Sequence, residues 1–326
     1  MKKARYYKKL KDNKVQCHLC PHQCLITEGN QGICRARINE GGDLYSDNYG
    51  KISSTGIDPI EKKPLYHFYP GEDILSLGTF GCNFSCGFCQ NWRISQKKPG
   101  IKEFTPEEIV DLAESKDVCG IAYTYSEPLV WFEFVLETSK LAAERNIKNV
   151  LVTNGYINKE PLEELLPYID GANIDIKSFS PEFYEDYPGG TLEPVLRNVK
   201  KMYQEIHIEL TNLLISDIND SKEDLNDLFS WIKDIDPEVP LHLSRYFPNY
   251  KFDKEQTSIQ TMKKAYKIAR KYLDFVYIGN IRLEKGNNTI CPECGETLIK
   301  RNFYNSQSYL KENECPICGK EIYGEF

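Results

Sequence analysis

Three cysteines stand at C-x3-C-x2-C in the run Gly81-Cys82-Asn83-Phe84-Ser85-Cys86-Gly87-Phe88-Cys89. It follows residues 73–80, whose apolar centre reads as a buried strand entering a loop. Such a loop can wrap three thiolates around one inorganic cluster. A 4Fe-4S cluster usually takes four cysteines, so ligation by Cys82, Cys86 and Cys89 leaves one iron open to a group that is not protein. Two plainer readings compete: part of a zinc site with a distant fourth ligand, or buried structural thiols. Zinc sites pair their cysteines mostly as C-x2-4-C knuckles, and this chain carries such pairs elsewhere.

The other cysteines fall into groups. Cys17, Cys20, Cys24 and Cys34 lie in one short segment, Cys119 stands alone, and Cys291, Cys294, Cys315 and Cys318 close the chain. Four, three, one and four is the arithmetic of three metal sites. Gly29 and Gly32 let the first segment fold back, and four thiols there could hold zinc or a second iron-sulfur cluster. Spacing does not separate the two. His18 and His22 are weaker ligand candidates because the thiols already number four. The last four form two matching knuckles, C-x2-C-x20-C-x2-C, the pattern of a zinc ribbon. A rubredoxin-like iron is the lesser alternative for that tail.

The chain must hold these groups with an ordinary core. Its 326 residues suffice for one large domain with appendages, and 40% apolar with 27% charged residues is globular composition. A net charge of -7 argues against a nucleic-acid partner, although the first fourteen residues are locally basic. No apolar run approaches the roughly 18 residues of a membrane span, and no signal-peptide core follows the basic start. These features predict a cytoplasmic protein without a membrane role, in which twelve thiols serve metals rather than disulfides.

Residues 73–283 alternate short apolar strands with amphipathic helices, the pattern of a parallel α/β sheet. Strands are predicted at 74–79, 119–125, 150–153, 173–176, 207–214 and 241–243, with a further one at 274–279. Thr105 caps a helix beginning at Pro106, with Glu107 and Glu108 in its first turn. Six strands with crossover helices predict an α/β partial (β/α)6 barrel over residues 73–285. A small N-terminal four-Cys metal segment and linker fill 1–72, and a zinc-ribbon-like tail fills 286–326. In such barrels the site lies at the carboxyl ends of the strands. Residues 58–65, rich in charge and proline, read as a linker or an active-site lining. Asn212, His242 and Arg245 are strand-end polar residues that could face a substrate. A lone His is more often a satisfied core residue, which lowers the weight of His207 and His242, and Cys119 reads as packing.

The C-x3-C-x2-C spacing with Phe88 before the third cysteine resembles the signature of radical SAM enzymes. The resemblance implies a 4Fe-4S cluster that chelates S-adenosylmethionine, breaks it reductively and yields a 5'-deoxyadenosyl radical, with a ferredoxin or flavodoxin as reductant. Glu127, in Tyr123-Thr124-Tyr125-Ser126-Glu127-Pro128, stands where such families carry a Gly-Gly-Glu-like motif holding the methionyl amine. Only Glu127 and Pro128 match it, and Glu127 could equally cap the following helix. Asp175 and Lys177, two apart and so on one strand face, resemble the Asp-x-Lys strand of pyruvate formate-lyase activating enzymes. With Asn154 they are the candidate cofactor contacts; a surface ion pair is the plainer reading of Asp175 and Lys177.

The likeness narrows further with the run 17–24, residues 58–65 and 89–96, the stretch 123–128 and the closing knuckles. Together they resemble the AmmeMemoRadiSam system radical SAM enzyme over essentially the whole chain. That resemblance implies Memo and AMMECR family partners and favours an active-site role for residues 58–65. The alternatives are a glycyl-radical enzyme activase and, from another class, a non-catalytic zinc-ribbon adaptor. The tail could also fold over the barrel mouth and bring Arg301, Tyr304 or Tyr309 to a substrate.

Overall fold

The computed structural model describes every residue except 282, 284 and 303. Eight strands form one sheet: β1 (Ser54–Pro59), β2 (Asp73–Gly78), β3 (Gly120–Tyr123), β4 (Lys148–Thr153), β5 (Gly171–Asp175), β6 (His207–Leu214), β7 (Leu241–Arg245) and β8 (Val276–Gly279). They lie side by side in chain order, β2 to β8 parallel and β1 antiparallel on the edge. Each parallel step needs a crossover, supplied by α1 (Pro106–Ser115), α2 (Phe132–Glu144), α3 (Lys159–Leu165), α4 (Pro181–Asp186), α5 (Glu193–Tyr203), α6 (Lys222–Ile235) and α7 (Ile259–Ala269). The predicted strands and helices are all present, with ends shifted by a few residues.

Local chemistry sets these elements. Thr105 and Glu108 form a reciprocal capping box at α1, and Ser180, Ser221 and Ser258 cap α4, α6 and α7 with their hydroxyls. In α5, Val195, Val199 and Met202 share a face at helical spacing, and all three are buried. No helix among the described residues is long and apolar enough to cross a membrane.

Residues 58–65 depart from the linker reading. The run 54–59 is the edge strand β1, and the following Ile60, Leu65 and Phe68 pack against Ile74, Ala122 and Val150. Pro64 reaches the sheet interior, where its carbonyl accepts from Asn173 Nδ2 at 2.8 Å. Asp58 binds Lys62 (2.9 Å) and Lys63 (2.8 Å) and accepts from the Tyr125 hydroxyl (2.7 Å). Burial pushes its carboxyl up, but the hydrogen bonds from Lys63, Lys62 and Tyr125 outweigh burial and hold it well below the usual range. Asp58 is matched by Lys62 and Lys63, and the buried Glu61 accepts from the Gly71 N–H (2.9 Å) and the Ser306 hydroxyl, which lets this polar stretch lie partly inside.

Beneath this segment Glu209, fully buried, accepts from the Tyr66 and His67 N–H groups (both 2.6 Å), from His242 (2.6 Å) and from His207 (3.3 Å). His207 and His242 are thus satisfied core residues. The tail packs at this amino end of the strands. Ile208 N donates to the Tyr323 hydroxyl (3.0 Å), Lys320 pairs with Glu238 (2.6 Å), and the Arg301 guanidinium lies 4.3 Å from the Tyr66 ring centre. The tail therefore covers the floor rather than the mouth. Arg301 is buried on Tyr66 and Thr289, Tyr304 faces Lys62, and Tyr309 pairs through its backbone with Leu298. None of the three approaches the strand carboxyl ends, so their assignment to a substrate is corrected.

Near its start the N-terminal region forms a Lys-rich hairpin, Tyr7–Lys9 against Val15–Cys17, turning through Asp12 and Asn13 at φ +57° and +52°. It is clamped to α2 by a buried bidentate ion pair, Arg37 Nη1 to Glu133 Oε1 (2.9 Å) and Nη2 to Oε2 (2.7 Å).

Candidate active site

β2 ends at Gly78, and the chain turns into the cysteine loop through Gly81 at φ +97°. A Cβ there would lie 2.5 Å from the Cys34 carbonyl oxygen, so only glycine permits this approach. Phe84 and Phe88, nearly fully buried, anchor the loop, and Phe84 packs on Tyr156 with ring centres 4.8 Å apart. The thiols of Cys82, Cys86 and Cys89 line one cavity of about 310 Å³. Its other walls come from residues at or beyond the ends of β3 to β8: Glu127, Asn154, Asp175, Lys177, Thr211 and Ser244 among them. The sheet curls far enough for its successive strands to share one cavity, and the four predicted cofactor contacts all reach it.

Glu127 is buried and takes three hydrogen bonds: Leu129 N (3.0 Å) and Thr153 Oγ1 (2.6 Å) on Oε1, and Asn154 N (2.9 Å) on Oε2. The bond to Leu129 N is the predicted helix cap. Burial pushes the carboxyl up to about 7, against the pull of these donors. An acid so placed favours a cationic neighbour such as an ammonium group. Asn154 ties the walls together through Nδ2, 2.9 Å from Asn83 Oδ1 and 3.8 Å from Cys82 Sγ. Lys177 Nζ pairs with Asp175 Oδ2 at 2.6 Å. Their ion pair is real but lines the cavity instead of the open surface. Burial pushes the Cys86 thiol up to about 12, with Lys177 pulling the other way. Thiols buried to this degree need cationic metal to become thiolates.

Asn212 and Arg245 do not line the cavity, and His242 lies on the floor below it. Asn212 Nδ2 donates to the Ile176 carbonyl (2.8 Å) and Arg245 Nε to the Thr257 carbonyl (2.7 Å). Thr211, Leu213 and Ser244 take the wall positions instead. Strand alternation decides this, since one step along β6 or β7 turns a side chain away. The sequence reading of residues 123–128 passed over Ser126, whose buried Oγ has no partner among the described residues and lies on the cavity wall. A buried hydroxyl without a partner beside three thiols marks a place for a polar ligand.

The other thiol groups lie outside this cavity. All four C-terminal sulfurs lie within 4.8 Å of one another, with Cys291–Cys318 and Cys294–Cys315 both at 3.6 Å, which suits one ion. Gly295 and Gly319, at φ +77° and +72°, turn the two knuckles alike. Cys17, Cys20, Cys24 and Cys34 surround an enclosed cavity. His22 also lines that cavity, and its Nε2 donates to the Asn83 carbonyl at 2.8 Å. Cys119, partly buried, packs against the Ile60 cluster as a structural thiol.

A family model for the radical SAM superfamily matches residues 76–232, the span from β2 through most of α6. The chain carries a radical SAM superfamily domain. It is an enzyme of radical chemistry, related to the pyruvate formate-lyase activating enzymes. The chain is 46% identical to the uncharacterized protein MJ0808 of Methanocaldococcus jannaschii over 99% of each chain. It is 28% identical to the pyruvate formate-lyase-activating enzyme of Clostridium pasteurianum over 48% of this chain and 67% of that protein. Among solved structures, Streptococcus suis SuiB bound to precursor peptide SuiA is similar with a TM-score of 0.53 at 15% identity, over 68% of this chain and 52% of SuiB. That likeness shows the fold. The superfamily implies a 4Fe-4S cluster and S-adenosylmethionine, and the residues present fit both. Three cavity-lining cysteines from one loop would hold the cluster, and Ser126, Glu127, Asp175 and Lys177 would offer a polar ligand hydrogen-bonding and charged partners.

Proposed function

We propose that this enzyme binds S-adenosylmethionine in the cavity of a partial (β/α)6 barrel, at a 4Fe-4S cluster held by Cys82, Cys86 and Cys89. The convergence of those thiols with Glu127, Asp175 and Lys177 on one cavity carries the reading. Cys82, Cys86 and Cys89 would hold the cluster, which when bound would supply reductive cleavage of S-adenosylmethionine for hydrogen abstraction from a substrate. The chain's own residues position and shield. Glu127 and Ser126 would serve the amine, while Asp175 and Lys177 would serve the ribose hydroxyls and the carboxylate between them. Asn154 fixes the Cys82 side of the loop, and Phe84 and Phe88 keep water from the thiols. The test is an anaerobic assay with dithionite. 5'-Deoxyadenosine forms with the wild type; a reconstituted protein that forms none would sink the proposal.

A second reading, a glycyl-radical enzyme activase, is favoured by the similarity to an activating enzyme over about half of this chain. It predicts a glycyl radical detected by electron paramagnetic resonance on a partner protein. Membership of the AmmeMemoRadiSam system, with Memo and AMMECR family partners, rests on the motifs of residues 17–24, 58–65, 89–96 and the closing knuckles. Co-purification of those partners from the native host tests it. Zinc in the C-terminal four-Cys group rests on its single-ion spacing, and metal analysis of that tail in the full chain decides it.

A further inference from the structure

The run Cys89-Gln90-Asn91-Trp92-Arg93-Ile94-Ser95-Gln96 gives the cluster loop only its first residue, yet all of it is held against that loop. Gln96 Nε2 donates to the Phe84 carbonyl at 2.9 Å, Gly81 N donates to the Ile94 carbonyl at 3.0 Å, and Ser95 Oγ lies 3.4 Å from Cys89 Sγ. The clamp holds one wall of a second cleft, about 480 Å³, bounded by Gln90, Asn91, Trp92, Arg93, Asn249 and, from the edge strand β1, Ser54.

This cleft adjoins the active-site cavity, for Gln90, Asn91 and Tyr125 line both. Tyr125 stands at their junction with φ +66°, a conformation that a residue with a side chain rarely adopts. Both of its ends are tied: its carbonyl accepts from Asn91 Nδ2 at 2.7 Å, and its hydroxyl donates to Asp58 at 2.7 Å.

Charge selects the ligand. Arg93 is the one charged residue of the cleft wall, and no carboxylate lines it. Two lysines stand at its rim: Lys97 Nζ lies 5.0 Å from the Trp92 ring centre, and Lys251 Nζ lies 5.2 Å from that of Tyr250, which stacks on Trp92 at 4.9 Å. Among the described residues Arg93, Lys97 and Lys251 make no ion pair. In a chain of net charge -7, three unneutralised cations around one cleft create a local field that draws an anion. The Ser54 hydroxyl and the Gln90 and Asn249 amides, which have no hydrogen-bond partner among the described residues, can share an oxyanion with the guanidinium fork of Arg93.

We propose that this cleft binds the oxyanion group, carboxylate or phosphate, of a small-molecule substrate, with Arg93 as the specificity-determining residue and Tyr125 as the wall past which the substrate meets the active-site cavity. The substrate role rests on the proposed function; the anion site does not.

Inorganic pyrophosphate and citrate are the probes, each titrated at constant ionic strength into the anaerobically reconstituted full chain and read by calorimetry. One of them should bind saturably, and which one does so separates phosphate from carboxylate recognition. Arg93→Gln should weaken that binding at least tenfold, and Arg93→Lys, which keeps the charge without the fork, should recover part of the loss. Ser54→Trp fills the cleft and leaves Arg93 in place, so it should also weaken binding at least tenfold; an unchanged affinity there would mean an anion on the open rim and would overturn the cleft. No saturable binding of either probe, or equal binding by Arg93→Gln, would overturn the anion site, and the proposed function stands if the same preparation forms 5'-deoxyadenosine. Arg93-dependent binding by a preparation that forms none keeps the site and sinks the proposed function. For the substrate role, the probe that binds should shift the resonance of the reduced centre in the presence of S-adenosylmethionine; a signal that does not move would overturn that role.

Discussion

Glu127→Gln isolates the one acid buried against the cavity. At low pH the wild-type carboxyl is protonated and neutral, as the amide always is. The amide, however, sets an N–H₂ group against the N–H of Asn154, which now donates to Oε2 at 2.9 Å. A buried donor left without an acceptor costs about 1–3 kcal/mol, so the variant is the less stable protein at pH 4.5. Raising the pH reverses the order. The wild-type carboxyl titrates at about 7 when folded, against its ordinary 4.5, because of burial. Between those values the folded chain holds a proton that the unfolded chain has released, so wild-type stability falls as pH rises. The difference amounts to roughly 3 kcal/mol by pH 8. At about 2 °C per kcal/mol for a chain of this size, the Tm gap between variant and wild type should move by about 6 °C in the variant's favour. Scanning calorimetry of both apo proteins at pH 4.5 and pH 8 reads it directly, since every other titrating group cancels in the difference. A Tm gap that does not change with pH would refute the reasoning. Under the proposed function, the affinity of wild type for S-adenosylmethionine also rises through pH 7, and that of Glu127→Gln stays flat.

Other expectations follow from single contacts. Arg37→Leu leaves Glu133 buried and unpaired at a cost of about 3–5 kcal/mol, and Arg37→Leu with Glu133→Leu recovers most of the lost Tm in thermal unfolding. Gly81→Ala places a methyl 2.5 Å from the Cys34 carbonyl and forces a φ of +97° on a residue with a side chain, so it lowers Tm and loosens the loop. Limited proteolysis at the cysteine loop tests the loosening. Lys177→Ala leaves Asp175 without its partner and, under the proposed function, weakens S-adenosylmethionine binding at least tenfold by calorimetry. Removal of metal from the C-terminal knuckles with a strong chelator should expose Tyr277 and Arg301 on the floor while Glu127 and the cavity remain ordered. Hydrogen exchange read along the chain distinguishes the two ends.

The chain announced its chemistry through spacing. C-x3-C-x2-C, the two knuckles and the first four thiols are local patterns, set by how a short backbone presents sulfur, and they need no long-range information. The crossover order was legible for the same reason, because apolar runs and capping boxes report local preferences that a parallel sheet then arranges. Tertiary structure decided what local pattern cannot hold. Whether Thr211 or Asn212 faces the cavity depends on the register of β6 in the curled sheet, a property of its neighbours. The polar run 58–65 became an interior segment because Lys63 and Tyr125 meet Asp58, partners that only folding brings together. The tail's place at the floor, and the contact between Cys34 and Cys82, were likewise fixed by packing between residues far apart in the chain. The thiol groups were written in the sequence, and the close spacing of the C-terminal four in three dimensions was a property of the fold alone.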